Sequence, residues 1–150
     1  MIVKMPSFES FYIRNKGYNI NIKETWQKLQ TWILTNNIHS YKQIALFHDN
    51  PTITPLNDCQ YIGCIVVDDL EKVESDRLPN FKIAEGVYAK FDLKGKTGDV
   101  LPFIHWVYHE WLPKSEYETT TKPSYAIYKK LDFLDDSDEF DLSFYVSINF

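Results

Sequence analysis

The chain has 150 residues and a formal net charge of −5, and aromatic residues make up 16% of it. This length fits a single domain, residues 1–150, with a sizeable core, and the acidic balance argues against a general nucleic-acid binder, which normally has a basic face. No apolar stretch approaches the roughly 20 residues that span a bilayer, and the N-terminus lacks the apolar run of a signal peptide.

The first half of the chain predicts a strand followed by a helix. Residues 7–14 are rich in aromatic and β-branched side chains, which favours a strand. Asn21 and Glu24 have the spacing of a helix-capping pair, and residues 36–37 are expected to end the helix. Its apolar residues form one stripe at helical spacing, made of Ile22, Trp26, Leu29 and Ile33. Trp32 falls outside that stripe.

Two more strands are predicted at residues 44–48 and 61–67. The second is almost continuously apolar, which predicts a central position in its sheet. Cys59 and Cys64 are five residues apart in this segment, so a strand places them on opposite faces, where they cannot pair with each other. Unpaired cysteines fit a reducing compartment, and we therefore expect a cytoplasmic protein.

The second half repeats this plan after a polar connector at residues 68–80. Residues 81–93 predict a single strand, and Asp99 is the expected N-cap of a second helix, with Pro113 just after the helix end. The buried stripe of this helix is formed by Phe103, Ile104, Val107 and Trp111. Residues 123–129 and 140–148 predict the last two strands, which an acidic loop joins.

Each half therefore follows the order β-α-β-β, and the two halves are rough copies of one plan. We expect an α+β domain made of two pseudo-repeats, at about residues 7–67 and 81–150, with an antiparallel sheet, two helices and a central cleft. Two divergent copies are too few for a solenoid. The seam between such copies is a natural place for a small-molecule pocket.

Motifs for metal or cofactor chemistry are weak in this sequence. His105 and His109 have metal-ligand spacing on a helix, but the glutamate that follows the first histidine in hydrolytic zinc motifs is missing. The acidic residues of 135–141 lack the glycine and the distant glutamate of a calcium-binding loop. A phosphate-binding glycine-rich loop and a dinucleotide fingerprint are also missing. We therefore expect no bound metal or cofactor, and we assign no catalytic residue.

Aromatic side chains give the more informative signal. Trp106 lies at the edge of the apolar stripe of the second helix, where a ring can line a cavity or cover the rim of a sheet. In the strand at 123–129, Ala126 and Tyr128 share one face, and the residues between them point to the other. Phe47 holds the position that matches Tyr128 in the first half. The two rings belong either to one cleft or to ordinary core.

Seven segments occur in an order that is typical of one family. They are FYIRNKGY (11–18), ETWQKLQTWI (24–33), LFHDNPTITP (46–55), CQYIGCIVV (59–67), YHEWLPKSEYE (108–118), KPSYAIY (122–128) and FDLSFYVSI (140–148). Together they resemble the GyrI-like small-molecule-binding family, also known as the AraC-type effector-binding domain, across nearly the whole chain. The chain resembles the stand-alone form, because it leaves no room for a DNA-binding domain.

The resemblance implies a duplicated fold whose central cleft binds lipophilic, often cationic, drugs or metabolites, in roles that include transcription regulation and multidrug binding. The family commonly has a pocket glutamate two residues before the tyrosine that matches Tyr128, and this residue is Ala126 here. A second acidic position, on an earlier strand, is Ile62. Alanine neither attracts a cation as a buried carboxylate does nor acts as an acid or base. The resemblance therefore favours an aromatic cleft without its usual acid.

We expect non-enzymatic binding of a small lipophilic molecule, neutral or cationic, for sensing or sequestration. The expected ligand-binding residues are Phe47, Tyr88, Trp106, Trp111, Ala126 and Tyr128. Two alternatives stay open. One is a hydrolase of reactive small toxins, with Glu110 or Glu118 as the replacement carboxylate, and the other is a protein-interaction module such as a gyrase inhibitor. We expect a monomer or weak dimer that contacts neither nucleic acid nor membrane directly.

Overall fold

The computed structural model describes residues 1–17, 22–47, 55, 58–68, 78–96, 99–131 and 139–149. The strands in these residues are β1 (Ile2–Met5), β2 (Phe8–Lys16), β3 (Tyr41–Phe47), β4 (Gln60–Val67), β5 (Asn80–Ile83), β6 (Gly86–Lys96), β7 (Glu118–Thr119), β8 (Ser124–Leu131) and β9 (Glu139–Asn149). The helices are α1 (Ile22–Thr35) and α2 (Val100–Trp106), and α2 continues through a π-helical turn (Val107–Trp111) into a short helix, α3 (Leu112–Lys114). Among the described residues, no helix combines the length and apolar character that crossing a membrane requires.

The described strand pairs are all antiparallel, and eight strands follow the order β1-β6-β9-β8-β3-β4-β2-β5. The short strand β7 pairs with β9 outside this path. The α+β class and the antiparallel sheet expected from the sequence are confirmed. The position of β4 between β3 and β2, with nearly all of its residues buried, also agrees with its apolar sequence.

Two short connections show that the sheet is strongly curled. β5 lies at one edge of the sheet, whereas β6 lies next to the other edge. Only residues 84–85 join these strands, and three steps of extended chain reach about 10 Å. The two edges must therefore approach each other. Residues 6–7, which join β1 to β2, impose the same closure from the other side.

The edge strands correct the sequence-based assignment. The sequence predicts one strand over residues 81–93, but the structure has two, β5 and β6, and it adds β1, which the pattern did not indicate. Gly86 has a φ of 155°, a conformation that side-chain-bearing residues rarely adopt, so it allows the chain to leave β2 and join β1. Side chains alternate between the two faces both before and after Gly86. The sequence pattern therefore does not show that the chain changes its partner strand at this residue.

Alternation along the strands gives the sheet two buried faces. The helix face, which α1 and the second helix cover, has a core that includes Trp26, Phe47, Tyr61, Ala126 and Phe144. The opposite face, which the curled sheet encloses, has a separate core that includes Ile44, Leu46, Ile62, Cys64, Ile83, Tyr88, Tyr125 and Tyr145. The placement of Ala126 and Tyr128 on one face is confirmed. Cys59 and Cys64 are buried in different cores, so they do not pair with each other, as predicted.

α1 packs directly on β4 because β4 has a glycine at the contact. A Cβ atom on Gly63 would lie 2.8 Å from Leu29 Cδ1 and 3.1 Å from Thr25 Cγ2, so no larger residue fits here without movement. The helix ends where the sequence predicts. Asn37 takes a left-handed conformation with a φ of 54°, which ends a helix because the chain then turns away from the axis.

Trp32 is buried although it lies outside the predicted apolar stripe. Only 8% of its surface is exposed, and its ring centroid lies 4.9 Å from that of Phe11 on β2. Trp32 follows Leu29 by three residues, so the helical repeat still brings it toward the sheet. The buried face of α1 is wider than one stripe because both β2 and β4 pack against it.

The second helix begins where the sequence predicts but continues past its predicted end. Asp99 holds the N-cap position of α2, although its Oδ2 atom accepts a hydrogen bond from the Lys96 backbone N–H at 2.9 Å and makes no bond to the helix. Pro113 lies inside α3 rather than after the helix. A proline ring clashes with the carbonyl four residues earlier in a regular helix. The π turn before it is wider, since the Leu112 N–H donates to the Val107 carbonyl five residues back.

Candidate ligand-binding site

Three hydrogen-bonded aromatic side chains lie together on the helix face. Trp26 of α1 donates its Nε1–H to the hydroxyl oxygen of Tyr61 on β4 at 2.8 Å. That oxygen lies 3.3 Å from the hydroxyl oxygen of Tyr128 on β8. The rings of Trp26 and Tyr128 meet edge to face, with centroids 5.7 Å apart. These three residues, called the Trp26 cluster below, therefore join one helix to two strands of the sheet.

The hydroxyl groups of the Trp26 cluster are neutral at physiological pH. Burial raises the pKa of Tyr61 well above its ordinary value of 10.0, and the neighbouring Tyr128 raises this pKa further. Burial likewise raises the pKa of Tyr128 to about 12. A neutral phenol both donates and accepts hydrogen bonds. The cluster therefore offers polar but uncharged groups on an otherwise apolar face.

Ring contacts lead from the Trp26 cluster to the second helix. The Phe47 centroid lies 5.7 Å from that of Tyr61 and 5.9 Å from that of Phe144 on β9. Phe144 in turn lies 6.1 Å from Phe103 of α2. Centroid separations of this size are typical of favourable aromatic pairs. Phe47 is thus the link between the aromatic groups under the two helices.

A second aromatic group lies between β6 and the second helix, with Phe91 at its centre. The Phe91 centroid lies 5.8 Å from Phe103, 6.1 Å from Trp106 and 5.0 Å from Trp111. Trp106 also stacks on Phe103 at 5.9 Å, with 20° between the ring planes. Even so, 45% of the Trp106 surface is exposed. An exposed indole held by two other rings is a preformed surface for an apolar ligand.

A small open cavity of about 230 Å³ lies beside this second group. Its lining residues are Trp106, Glu110, Trp111, Lys114 and Ser115. Glu110 and Lys114 form an ion pair at 3.1 Å along the helix, and both side chains are largely exposed. The cavity therefore places one carboxylate next to two indoles, but that carboxylate has a cationic partner and faces water.

Five of the six residues predicted to bind the ligand lie on the helix face or on the helix that covers it. They are Phe47, Trp106, Trp111, Ala126 and Tyr128. The structure does not bring Tyr88 to them, because Tyr88 belongs to the core of the opposite face, with its centroid 5.2 Å from that of Tyr125. The ring of β6 that does join the helix-face group is Phe91.

Two small residues form the seam between the halves of the sheet. Ala45 of β3 pairs with Ala126 of β8, and both are fully buried. Ala126 therefore leaves the seam uncharged at the position where the family resemblance expects a glutamate. Ile62, the other position expected to be acidic in the family, belongs to the opposite face.

Trp26 and Tyr61 of the Trp26 cluster, and Phe91 of the second aromatic group, were not predicted as site residues. Trp26 falls in the apolar stripe of α1, and this pattern predicts only a position in the core. The sequence does contain a feature that indicates Tyr61, because Tyr61 lies on the same face of its strand as Gly63. A glycine inside an apolar strand indicates that another element approaches closely, and α1 is that element.

The two histidines of the second helix lie side by side, with ring centroids 5.8 Å apart. Within the part of the chain that the structure describes, no group of three or more His, Cys, Asp and Glu side chains is placed to hold a metal ion. His105 and His109 are thus a pair without a third protein ligand from the described residues.

Residues 1–148 match the GyrI-like family, described as a small molecule binding domain. The chain belongs to this family. The resemblance drawn from the sequence is therefore confirmed over essentially the whole GyrI-like chain. No curated protein matches the sequence.

Solved structures share the fold of this GyrI-like domain at low sequence identity. The C-terminal domain of EcmrR has a TM-score of 0.72 and 15% identity, covering 99% of this chain and 96% of that one. SAV2435 bound to tetraphenylphosphonium has a TM-score of 0.62 and 9% identity, covering 99% and 93%. A hydrolase from Listeria innocua has a TM-score of 0.59 and 10% identity, covering 99% and 91%. Similarity at this level establishes a common fold.

Proposed function

We propose that this GyrI-like domain binds a small lipophilic molecule, neutral or cationic, between its two helices and performs no catalysis. The observation that carries the proposal is the run of ring contacts from the Trp26 cluster through Phe47 to Trp106. Small-molecule sites are mostly apolar, with a few well-placed polar groups. The hydroxyls of Tyr61 and Tyr128 would be those groups, because they are neutral and lie within the aromatic run.

We also propose that the domain consists of two pseudo-repeats, at about residues 7–67 and 81–150. The strand order supports this. If β1 is exchanged with β5, β2 with β6, β3 with β8 and β4 with β9, the sheet has the same order when it is read from its other edge. Around the Ala45–Ala126 pair, Phe47 pairs with Tyr61 in one half, and Tyr128 pairs with Leu142 in the other. Phe47 thus corresponds to Tyr128, and Tyr61 corresponds to Leu142, so the corresponding positions differ in polarity. A ligand with one polar end would therefore bind in one orientation.

Aromatic faces can attract a lipophilic cation without help from a carboxylate. A cation over a ring gains about 0.5–1 kcal/mol at exposed sites and about 2 kcal/mol where water is excluded. This contribution matters here because the seam position expected to be glutamate is Ala126. The structure of SAV2435 with tetraphenylphosphonium motivates that ion as the first probe.

Tetraphenylphosphonium and tetraphenylborate test the proposal because they have the same shape and opposite charge. Isothermal titration calorimetry on the intact chain gives both dissociation constants. We expect the cation to bind about tenfold more tightly, which corresponds to about 1.4 kcal/mol, because ring faces attract cations and repel anions. Trp106→Ala should weaken binding of the cation by a similar factor, since it removes an exposed ring and leaves the core intact.

The matched control for Trp106→Ala is Phe81→Ala. Phe81 is a partly buried ring on the opposite face, so its loss should leave the affinity for tetraphenylphosphonium unchanged. An unchanged affinity in Trp106→Ala, or equal losses of affinity in the two variants, would refute binding of tetraphenylphosphonium between the helices.

One observation favours a second candidate function, hydrolysis of reactive small molecules. Glu110 lines the cavity beside Trp106 and Trp111, and a structure with this fold is described as a hydrolase. The ion pair with Lys114 and the exposure of Glu110 weigh against it, because catalytic carboxylates are usually tuned by burial. Styrene oxide is a suitable electrophilic probe. Hydrolysis above the buffer rate that disappears in Glu110→Gln would replace the binding proposal.

A further inference from the structure

We propose a second small-molecule site on the opposite face of the sheet, for an amphipathic anion with an apolar body and one anionic head group. The site is a cavity of about 300 Å³ at the closure of the curled sheet, where β5 turns into β6. Ala84, in that connection, forms part of its rim, and Lys122 and Pro123 lie before β8 on the other side. This volume is at the lower end of the range for ligand sites.

The wall of the cavity is apolar and already well packed. Leu46, Ile62 and Ile83 line it from three different strands, and each is buried in the core of the opposite face. Tyr12 and Phe81 add a ring pair at the mouth, with centroids 4.8 Å apart and planes 83° apart. A rigid apolar wall of this kind suits a hydrocarbon or aromatic body.

Two cations line the same cavity, and the partners described for them are neutral. Arg14 donates from Nη1 to Gln60 Oε1 at 3.1 Å, and its guanidinium lies 5.8 Å from the Tyr12 ring centroid. Lys122 Nζ donates to the backbone carbonyl of Glu85 at 2.8 Å. A guanidinium carries five N–H donors and an ammonium group three. Both groups therefore keep donors for a further acceptor.

The sign of the lining charges selects an anion. Lys82 also lines the cavity, whereas the described lining residues include no carboxylate. This cationic rim contrasts with the net charge of −5 of the whole chain. A carboxylate, sulfonate or phosphate group at the rim would form charge-assisted hydrogen bonds, which are shorter and stronger than those between neutral groups. A neutral ligand would gain only the apolar wall.

Strand alternation separates this cavity from the aromatic site between the helices. Leu46 and Ile62 line the cavity, whereas their chain neighbours Phe47 and Tyr61 belong to the helix face. The sheet lies between the two sites. The inference therefore does not rest on the proposed function, and each site can be disabled without touching the other.

The experiment compares 8-anilino-1-naphthalenesulfonate with N-phenyl-1-naphthylamine, which shares its ring system and lacks the sulfonate. Fluorescence titration of the intact chain gives both dissociation constants. The double variant Arg14→Gln/Lys122→Gln should weaken binding of the sulfonate about tenfold and leave the neutral probe within about twofold. The double variant Lys23→Gln/Lys28→Gln removes the same charge from α1, outside the cavity, and should change neither constant.

A blocking variant completes the test. Ala84 is exposed at the rim, so Ala84→Trp should fill the mouth and weaken both probes, with circular dichroism to verify the fold. Trp106→Ala, on the other side of the sheet, should leave sulfonate binding unchanged. The inference is overturned if Arg14→Gln/Lys122→Gln binds the sulfonate as tightly as the wild type, or if Trp106→Ala abolishes that binding.

Discussion

Replacing Gly63 with alanine tests how tightly α1 is held against the sheet. The added Cβ would lie 2.8 Å from Leu29 Cδ1, 3.1 Å from Thr25 Cγ2 and 3.8 Å from Trp26 Cζ2. Non-bonded carbon atoms rest about 3.5–4.0 Å apart, so the closest contact has to open by roughly 0.7–1.2 Å. Leu29 is fully buried, so its side chain cannot move into solvent, and part of the shift falls on the helix.

We expect Gly63→Ala to lower the free energy of unfolding by about 1–3 kcal/mol, the usual cost of overpacking a core. Alanine also restricts the unfolded chain, which alone would stabilise the protein by about 0.4–1 kcal/mol. The steric cost exceeds that gain, because two buried side chains block the methyl group. Urea unfolding followed by tryptophan fluorescence measures the difference.

A second variant shows whether the contact with Leu29 is the cause. Leu29→Ala alone should cost about 2–5 kcal/mol by leaving a cavity, but in the Gly63→Ala background the new methyl group occupies part of that space. The double variant should therefore be more stable than the sum of the two effects by about 1–2 kcal/mol. Strict additivity, or a Gly63→Ala protein as stable as the wild type, would refute the reasoning.

Three other positions give shorter tests. Tyr61→Phe removes the acceptor of the Trp26 Nε1–H and should lower the free energy of unfolding by about 1–2 kcal/mol in urea; an unchanged midpoint would contradict this. Burial raises the pKa of Cys64 from 9.0 to about 12. The folded state therefore holds the thiol proton more tightly than the unfolded state does. The free energy of unfolding should be constant below pH 9 and decline by up to about 1.4 kcal/mol per pH unit as the pH rises toward 12. Cys64→Ala should flatten that decline in urea titrations, and an identical slope would count against it. Asn37→Ala should cost about 1 kcal/mol and Asn37→Gly nothing, because Asn37 is left-handed; thermal unfolding that ranks them equal would exclude that explanation.

The side-chain faces of the strands follow from the sequence because alternation is a local property. β8 illustrates this, since Ala126 and Tyr128 lie together on the helix face as the pattern predicts. The same alternation correctly predicts that Cys59 and Cys64 lie on opposite faces of the sheet. Alternation does not, however, say which of the two sets of residues a helix will cover. Tyr88 shows this limit, because its neighbour Ala89 belongs to the helix face and Tyr88 to the other.

The features that the sequence did not predict depend on contacts between distant segments. Trp32 is buried because β2 brings Phe11 against it, and nothing in α1 itself indicates that second contact. The break at Gly86 reflects a change of partner from β2 to β1, and those strands lie about 80 residues earlier in the chain. Pro113 lies in the first turn of α3, directly after a π turn, and apolar spacing does not reveal this local geometry.

The edge strands are exchanged between the two ends of the chain, since β1 pairs with β6 and β5 pairs with β2. A fragment that stopped at Asp68 would carry β1 without its partner, and the remaining fragment would carry β5 without its own. Each piece would expose an open strand edge that only the other piece completes. Each half of the chain therefore supplies the outermost strand of the sheet formed by the other half.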